Sequence, residues 1–396
     1  MSYPKETKKV PHLLLLDFGT LFVKATAVTG YSKFHDYNTI IRNQVYYISP
    51  EKAKRVRLET KGETDIEPGH FTLQEIEDRK LLFQADPVYV QLDAIPTSVD
   101  ILVKAYQNVC EQVEQELQIK KGEIVNHYED WGVVVAIANF ETSEVGKEVE
   151  EMHVEAASRV GFNSIYVNNQ IMFDFVSQLH WMKEQGLPEG YALIINIGGG
   201  DTEVAAISGV PLAHSFRRFA LAGQDVTLYC QNILREQHNF PGVLFTTIED
   251  WLMELGTVNN DAEPTTKIYK RKEIDIQQLL NAPAILFDYR KYWLKDRRFN
   301  SITEIIKESI ETVVMSSSFD TQVALILQAV IIVGGAAHFR GIAQRLEAEL
   351  RAEFPEYMND IHVYVGSEPQ MSGINGMRQL ITMKYKGEGL TFTILN

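Results

Sequence analysis

Cysteine is nearly absent from this chain, because only Cys110 and Cys230 occur among 396 residues. Without metal-ligand spacing, two cysteines exclude a disulfide framework and a cysteine-based zinc site, and we expect both to be buried free thiols. A long apolar run is also missing. The longest stretch, ALILQAVIIVGGAA (324–337), is too short to span a bilayer and is interrupted by Gln328 and two glycines, so no transmembrane segment is predicted.

Basic residues are outnumbered, with 38 Lys and Arg against 53 Asp and Glu, which gives a net charge of −15. This balance excludes a general nucleic-acid or anionic-membrane surface, so no direct nucleic-acid partner is expected.

The opening residues MSYPKETKKV are polar and do not resemble a signal peptide, which favours a cytoplasmic location. The Walker pattern GxxxxGK[ST] does not occur, which excludes a P-loop nucleotide site.

The length points to more than one folded unit, because 396 residues exceed the size at which a single core stops growing. Between residues 31 and about 96, many charges and weak periodicity indicate an inserted small subdomain or elaborated loops. Elsewhere strands and helices alternate, which is typical of α/β layers. The predicted elements are strands HLLLLDFG and TLFVKATAV, a helix over about 97–118, strand WGVVVAIA, a helix over 145–160, strand SIYVNN, helix QIMFDFVSQL, strand YALIINI with its return TEVAAI, helices over about 223–236 and 302–313, strand 330–333, and a helix after residue 341.

Three consecutive glycines interrupt an apolar strand in the stretch IINIGGGDTEVAAI (194–207). Glycine weakens a strand, so the stretch indicates either a hairpin turn that needs positive φ or a ligand that approaches the backbone closely. The first hairpin has the same plan: Asp17, glycine two residues later, a hydroxyl residue and a returning strand. Two such hairpins half a chain apart suggest two similarly folded domains whose turns could share one set of phosphates, with Asp17 facing Mg²⁺ through water.

Six segments, in order, resemble the actin superfamily. They are LDFGTLFVKA (16–25), YVNNQIMFDF (166–175), INIGGGDTEVA (195–205), PLAHSFRRFALAGQDVTLYCQNIL (211–234), NAPAILFDY (281–289) and IVGGAAHFRGIAQRLEAEL (332–350). The resemblance implies an α/β actin-like ATPase fold, with two similar domains flanking a nucleotide cleft and a small inserted subdomain. Domain I would span 1–180, with the insert at about 31–96, completed by about 365–396. Domain II would span 181–364, with an insert at about 240–275.

The resemblance also implies a set of site residues and the cofactors ATP and Mg²⁺. Gln170 would orient the attacking water, Asp17 would hold the metal through water, and Asn196 would act beside the same water. Phe339 is either a nucleoside contact or a core aromatic. The implied nucleotide-binding residues are Gly19, Thr20, Leu21, Lys24, Gly198, Gly199, Gly200, Asp201, Thr202, Gly223, Gly334, Gly335, Ala336 and Phe339.

Several residues depart from the actin pattern. Asn196 stands where the family usually has aspartate, so slow hydrolysis is expected, and Asn196→Asp is expected to speed phosphate release unless Asp201 already supplies the charge. Near 248–258 the sequence has no counterpart of the lysine–glutamate pair that actin places against the base and ribose, so it does not decide between adenine and guanine nucleotides. Gln370 and Met371 replace a lysine–tyrosine pair.

Three functions compete on these observations. The first is an ATP-hydrolysing actin-like protein that polymerises into filaments in a nucleotide-dependent way, with its own protomers as partners and adaptor or regulatory proteins beside them. The second is an actin-related scaffold subunit with weak or no ATPase activity, which Asn196 and the divergent insert favour. The third is a small-molecule kinase of the same superfamily, for which the sequence offers no substrate motif.

Overall fold

The computed structural model describes residues 7–8, 12–19, 22–29, 33–34, 38–59, 67–78, 86–89, 91–92, 95–96, 98–138, 144–237, 243–269, 271–292, 301–316, 320–384 and 392–393. The chain divides into two compact units, of which the first comprises Met1–Gln170 and Met377–Asn396 and the second Ile171–Gly376. The chain passes from one unit to the other after Gln170 and again before Met377. The boundaries expected from the sequence were near 180 and 365.

The strands and helices follow the predicted α/β alternation. The strands are β1 (Thr7–Lys8), β2 (His12–Phe18), β3 (Phe22–Thr29), β4 (Lys33–Phe34), β5 (Thr39–Arg42), β6 (Gln44–Ile48), β7 (Gly69–Phe71), β8 (Asp86–Tyr89), β9 (Gln91–Leu92), β10 (Ile95–Pro96), β11 (Trp131–Ile137), β12 (Ser164–Asn169), β13 (Tyr191–Ile197), β14 (Thr202–Ser208), β15 (Val210–Pro211), β16 (Arg217–Phe219), β17 (Thr266–Tyr269), β18 (Lys272–Asp275), β19 (Val330–Val333), β20 (Val363–Val365) and β21 (Phe392–Thr393). The helices are α1 (Pro50–Glu59), α2 (Leu73–Asp78), α3 (Val99–Glu116), α4 (Glu144–Val160), α5 (Gln170–Glu184), α6 (Gly223–Gln237), α7 (Phe245–Leu255), α8 (Gln277–Leu280), α9 (Tyr289–Tyr292), α10 (Ile302–Ser316), α11 (Asp320–Leu327), α12 (Ile342–Glu353) and α13 (Ser372–Lys384).

The first unit is built on a sheet in the order β12-β11-β2-β3-β4, with β5 also paired to β3. Strands β2 and β3 form an antiparallel hairpin in which Asp17 lies opposite Lys24. Strand β11 runs parallel to β2, and β12 runs parallel to β11. All of β11 is buried, as expected for a parallel strand covered on both faces. Strand β1 pairs with β21, so Thr7 lies opposite Thr393.

Part of the predicted insert forms a separate antiparallel sheet in the order β7-β6-β8. Ile48 of β6 packs with Ala53 and Val56 of α1 and with Ile76 of α2 in a small cluster of its own. This part of the insert is therefore a small subdomain with its own core, whereas β4 and β5, which also fall in the predicted range, belong to the main sheet. Its strands are too short for hydrophobic periodicity to reveal them clearly.

The second unit repeats the plan of the first. Its sheet has the order β15-β14-β13-β19-β20, with β16 also paired to β14. Strands β13 and β14 form an antiparallel hairpin, β19 runs parallel to β13, and β20 runs parallel to β19. In both units a hairpin is followed, on the side of its first strand, by two parallel strands. The prediction of two similarly folded domains is confirmed.

Helices cover both faces of the second sheet. Leu193 and Ile195 of β13 belong to a large core to which α6, α10 and α12 contribute. Ala192 and Ile194 point to the opposite face, where they pack with Ile171 of α5. This alternation follows from the two-residue period of a strand. The start of α5 therefore packs on the strand that leads into the second glycine turn.

Two expectations from composition can be compared with this architecture. Cys110 and Cys230 are both free and buried, as predicted. Burial raises the pKa of both thiols, which makes them poor nucleophiles. Among the helices in the described part of the chain, none combines the length and apolar character needed to cross a membrane.

Candidate functional site

The first hairpin carries a buried ion pair near its turn. Asp17 on β2 has no exposed surface, and Lys24 reaches it from β3 with 3.0 Å between Nζ and Oδ2. Asp17 Oδ1 is buried and has no hydrogen-bond partner within the described residues. Because an unpaired buried oxygen is costly, Oδ1 is suited to accept a hydrogen bond from a bound water or ligand.

The turn of this hairpin is held by Gly19. Its N–H donates to the carbonyl of Phe22 over 3.0 Å, and its own carbonyl accepts from Asn43 Nδ2 over 2.7 Å. A Cβ at Gly19 would lie 2.9 Å from the Phe22 carbonyl oxygen, so glycine is needed for this close return. The other two predicted residues of this loop, Thr20 and Leu21, lie outside the described residues.

The second glycine stretch is a hairpin turn between β13 and β14. The N–H of Gly198 donates to the Asp201 carbonyl over 2.9 Å and closes the turn. Thr202 Oγ1 donates to the Leu221 carbonyl over 2.6 Å, which ties the start of β14 to the chain that precedes α6. Asp201 is paired with Arg218 of β16. The charge of Asp201 is therefore neutralised by arginine, so this acid is poorly suited to replace one at position 196.

The start of α6 is capped by the second turn. The N–H groups of Gly223 and Gln224 donate to the carbonyls of Gly198 and Gly199, over 3.1 and 2.7 Å. A Cβ at Gly223 would lie 3.3 Å from the Gly198 oxygen, so the turn and the helix are in close contact. These two helix N–H groups are thus satisfied by the protein, and the turn is fixed in place by them. Gly200 is buried at the tip of the same turn.

The third glycine segment meets the second turn. Gly334 follows β19 with φ 89° and ψ 174°, a conformation that is essentially restricted to glycine. A Cβ there would lie 2.5 Å from both Asn196 Oδ1 and the Ile197 carbonyl oxygen. Gly335 has open space where a Cβ would be. The second unit therefore brings together three of the predicted segments, at residues 196–202, 223 and 334–336.

Phe339 lies in the core of the second unit. Its side chain is 5% exposed and belongs to the large hydrophobic cluster. Gly256 packs so closely beside it that a Cβ at Gly256 would lie 3.1 Å from the ring. Of the two readings left open by the sequence, this burial favours the core aromatic. Ala336 is also buried, in the short 3₁₀ helix after Gly334.

Gln170 is the first residue of α5. One turn later on the same helix lies Asp174, an acid that was not predicted from the sequence as a site residue. Asn196 Nδ2 donates to Asp174 Oδ2 over 2.7 Å, and Ser372 Oγ donates to Asp174 Oδ1. Asp174 has no exposed surface, Gln170 is 9% exposed and Asn196 is 4% exposed. The signal that could have found Asp174 is its isolation, since it is the one charged residue in the run QIMFDFV.

The residues of each unit fit a magnesium nucleotide on chemical grounds. In the first unit, Asp17 Oδ1 offers an acceptor for metal-bound water, and the Lys24 ammonium offers positive charge for a phosphate. In the second unit, a Cβ at Gly198 or Gly334 would meet the protein's own backbone oxygens, whereas Gly335 has open space where a Cβ would be. Open backbone of the kind found at Gly335 is what phosphate-binding turns require.

The sequence model of the MreB/Mbl protein family matches residues 119–387, which is more than half of the chain. The chain belongs to the MreB/Mbl family. This MreB/Mbl match includes Gln170 and the second and third glycine segments, and it begins after the hairpin that carries Asp17.

Curated relatives of this MreB/Mbl chain include actin-related protein 2 from three organisms. The sequence from Caenorhabditis briggsae is 25% identical over 219 residues, 51% of each chain. Those from Schizosaccharomyces pombe and Saccharomyces cerevisiae are 23% and 24% identical over 212 and 215 residues, about half of each chain. The chain thus spans about half the length of these curated relatives. With the family match, they confirm membership of the actin superfamily and an actin-like fold.

Proposed function

We propose that the chain is a cytoplasmic actin-like protein that binds Mg²⁺-ATP, hydrolyses it slowly and assembles into filaments in a nucleotide-dependent way. The observation that carries the proposal is Asp17, a fully buried carboxylate with one oxygen paired to Lys24 and the other without a hydrogen-bond partner in the described residues. Such an atom is stable when a ligand or bound water completes its hydrogen bonds. Family membership supports a nucleotide with a divalent cation as that ligand.

Each residue has a distinct task in this proposal. When bound, Mg²⁺ would supply charge neutralisation for the phosphates and a set of ordered water molecules. Asp17 would accept hydrogen bonds from those waters through Oδ1, and the Lys24 ammonium beside it would offer positive charge to phosphate oxygens. Gly335, with open space where a Cβ would be, lets the backbone approach the nucleotide, while Gly198 and Gly334 permit the tight turns that lead to it. Gln170 orients the attacking water, so that catalysis comes from positioning and electrostatics rather than from a covalent step.

Slow hydrolysis follows from the side chain at position 196. An asparagine oxygen accepts a hydrogen bond from water, but it lacks the negative charge of an aspartate and polarises that water less. The same residue favours a second candidate, a scaffold subunit that binds nucleotide without turnover or polymerisation. The alignments with actin-related protein 2, which cover half of those proteins, are compatible with either candidate.

One experiment separates the candidates. Purified protein is mixed with Mg²⁺-ATP, and light scattering, pelleting and phosphate release are followed together. Parallel samples contain ADP, a non-hydrolysable ATP analogue, or ATP with EDTA. Assembly that needs Mg²⁺-ATP and is followed by phosphate release supports the first proposal. ATP binding without assembly or release supports the scaffold, and turnover that starts only when a phosphate acceptor is added supports a kinase.

A further inference from the structure

We infer that Asp174 is a positioning residue that fixes the direction of the Asn196 side-chain amide. The inference rests on the proposed ATP hydrolysis, in which Asn196 must offer an oxygen to water. Its geometric basis is the 2.7 Å hydrogen bond from Asn196 Nδ2 to Asp174 Oδ2. Both residues are buried, so solvent does not compete for this contact.

An asparagine amide has two faces with opposite chemistry, because its oxygen accepts and its nitrogen donates. Both oxygens of Asp174 accept hydrogen bonds, one from Asn196 and one from Ser372, which is the pattern of a carboxylate. A carboxylate cannot donate to the Asn196 oxygen. The nitrogen of Asn196 must therefore face Asp174, and the amide has one permitted direction.

That direction turns Asn196 Oδ1 towards the glycine segments. A Cβ built on Gly334 would lie 2.5 Å from this oxygen, and one built on Gly198 would lie 3.8 Å from it. A flipped amide would present a donor to the same space, and a donor cannot accept a proton from water. Asp174 thus keeps the Asn196 oxygen, and not its nitrogen, facing the water. An aspartate at position 196 would accept a hydrogen bond from water with either of its oxygens.

Asp174 is itself held firmly by its helix. Lower on α5, Gln178 accepts from the Ser367 N–H over 2.7 Å and donates to the Ser367 carbonyl over 3.1 Å. A Cβ on Gly376 would lie 1.8 Å from the Phe173 carbonyl oxygen, so α5 and the start of α13 touch through backbone. These contacts limit the movement of Asp174 and hence of the Asn196 amide.

The contact is tested first without nucleotide, by melting the wild type, Asn196→Asp, Asp174→Asn and the double exchange. Asn196→Asp places two carboxylates in buried contact, so its melting temperature should fall by the largest amount. The double exchange restores one acid and one amide, and it should recover most of that loss. Additive shifts, with no recovery in the double exchange, would overturn the inferred contact.

The role in hydrolysis is tested by single-turnover phosphate release. Asp174→Ala should slow release about tenfold, the effect of losing a well-placed proton acceptor, while ATP affinity stays within about twofold. In an Asn196→Ala background, Asp174→Ala should cause no further slowing, because its effect passes through Asn196. Equal slowing in both backgrounds would assign Asp174 a purely structural part and overturn the positioning role.

Ser309→Ala is the matched control, because Ser309 Oγ donates to the Ser215 carbonyl over 2.6 Å and is equally buried in the second unit. It should lower the melting temperature and leave phosphate release unchanged. If wild-type protein releases no phosphate from bound ATP, the proposed function fails and the hydrolytic role of Asp174 fails with it. The nucleotide-free melting experiment still decides the Asp174–Asn196 contact in that case.

Discussion

Replacing Gly334 by alanine should destabilise the protein strongly, and the structure gives the size of the effect. The backbone angles of Gly334, φ 89° and ψ 174°, lie in a region that costs other residues about 1–3 kcal/mol. The new Cβ would also lie 2.5 Å from the Ile197 carbonyl oxygen. Forcing an atom into packed surroundings typically costs about 1–3 kcal/mol more. We expect Gly334→Ala to lose about 2–6 kcal/mol, or on the order of 10 °C in melting temperature.

The adjacent glycine supplies the control. No heavy atom of the described residues lies within 4 Å of the position where a Cβ would be added at Gly335, so Gly335→Ala should melt close to the wild type. If Gly335 borders the nucleoside, as the resemblance to actin implies, Gly335→Ala should still weaken ATP binding. Thermal melts without nucleotide and calorimetric ATP titrations separate these two effects in one pair of variants.

A small change in melting temperature would contradict this prediction. If nucleotide-free Gly334→Ala melts within about 2 °C of the wild type, the backbone angles of Gly334 and its close approach to Ile197 do not require glycine. Equal destabilisation by Gly335→Ala would also contradict it, because open space predicts no clash at that position.

The remaining predictions concern single side chains. Asp17→Ala should weaken Mg²⁺-ATP binding by about 1–3 kcal/mol, because the metal-bound water loses its acceptor, and unchanged affinity in calorimetry at fixed Mg²⁺ would remove Asp17 from the site. Gln170→Ala should slow single-turnover phosphate release while ATP affinity stays nearly intact, and a wild-type rate would exclude Gln170 from the mechanism. Burial lowers the pKa of His153 to about 3, whereas the unfolded chain titrates near 6.5. The unfolded state therefore binds the extra proton between these values, so stability is retained above pH 6.5 and falls as the pH drops. Between pH 6.5 and 5 this amounts to about 2 kcal/mol, and urea unfolding of His153→Gln should show a correspondingly smaller loss than the wild type.

Local sequence patterns were sufficient for much of the fold. The apolar run HLLLLDFG and the alternation in its return TLFVKATAV predicted the hairpin of β2 and β3, and the three- and four-residue spacing over 145–160 predicted α4 (Glu144–Val160). Periodicity failed in polar segments. No strand was predicted within the insert at about 240–275, yet β17 and β18 form a hairpin there with Arg271 at φ 67°. Exposed strands lack the apolar alternation from which strands are predicted.

The side-chain partners at the site could not be predicted from local patterns. Asn43 contacts Gly19 from the beginning of the insert, Arg218 contacts Asp201 from another strand, and Asp174 contacts Asn196 from a helix. Each pair joins elements that only the completed sheet brings into contact. The contact with Asp174 also changes the expectation for Asn196→Asp. A second buried carboxylate beside Asp174 is repelled and destabilising, which opposes the faster phosphate release expected from the sequence.

The pairing of β1 with β21 has a consequence for the order in which the chain folds as it leaves the ribosome. Thr7 is synthesised before the second unit, whereas its partner Thr393 is synthesised after it. The second unit is one continuous stretch, Ile171–Gly376, so all of its residues are available earlier. Since domains fold as units once their residues are present, we expect the second unit to be native while the first still waits for its final strand.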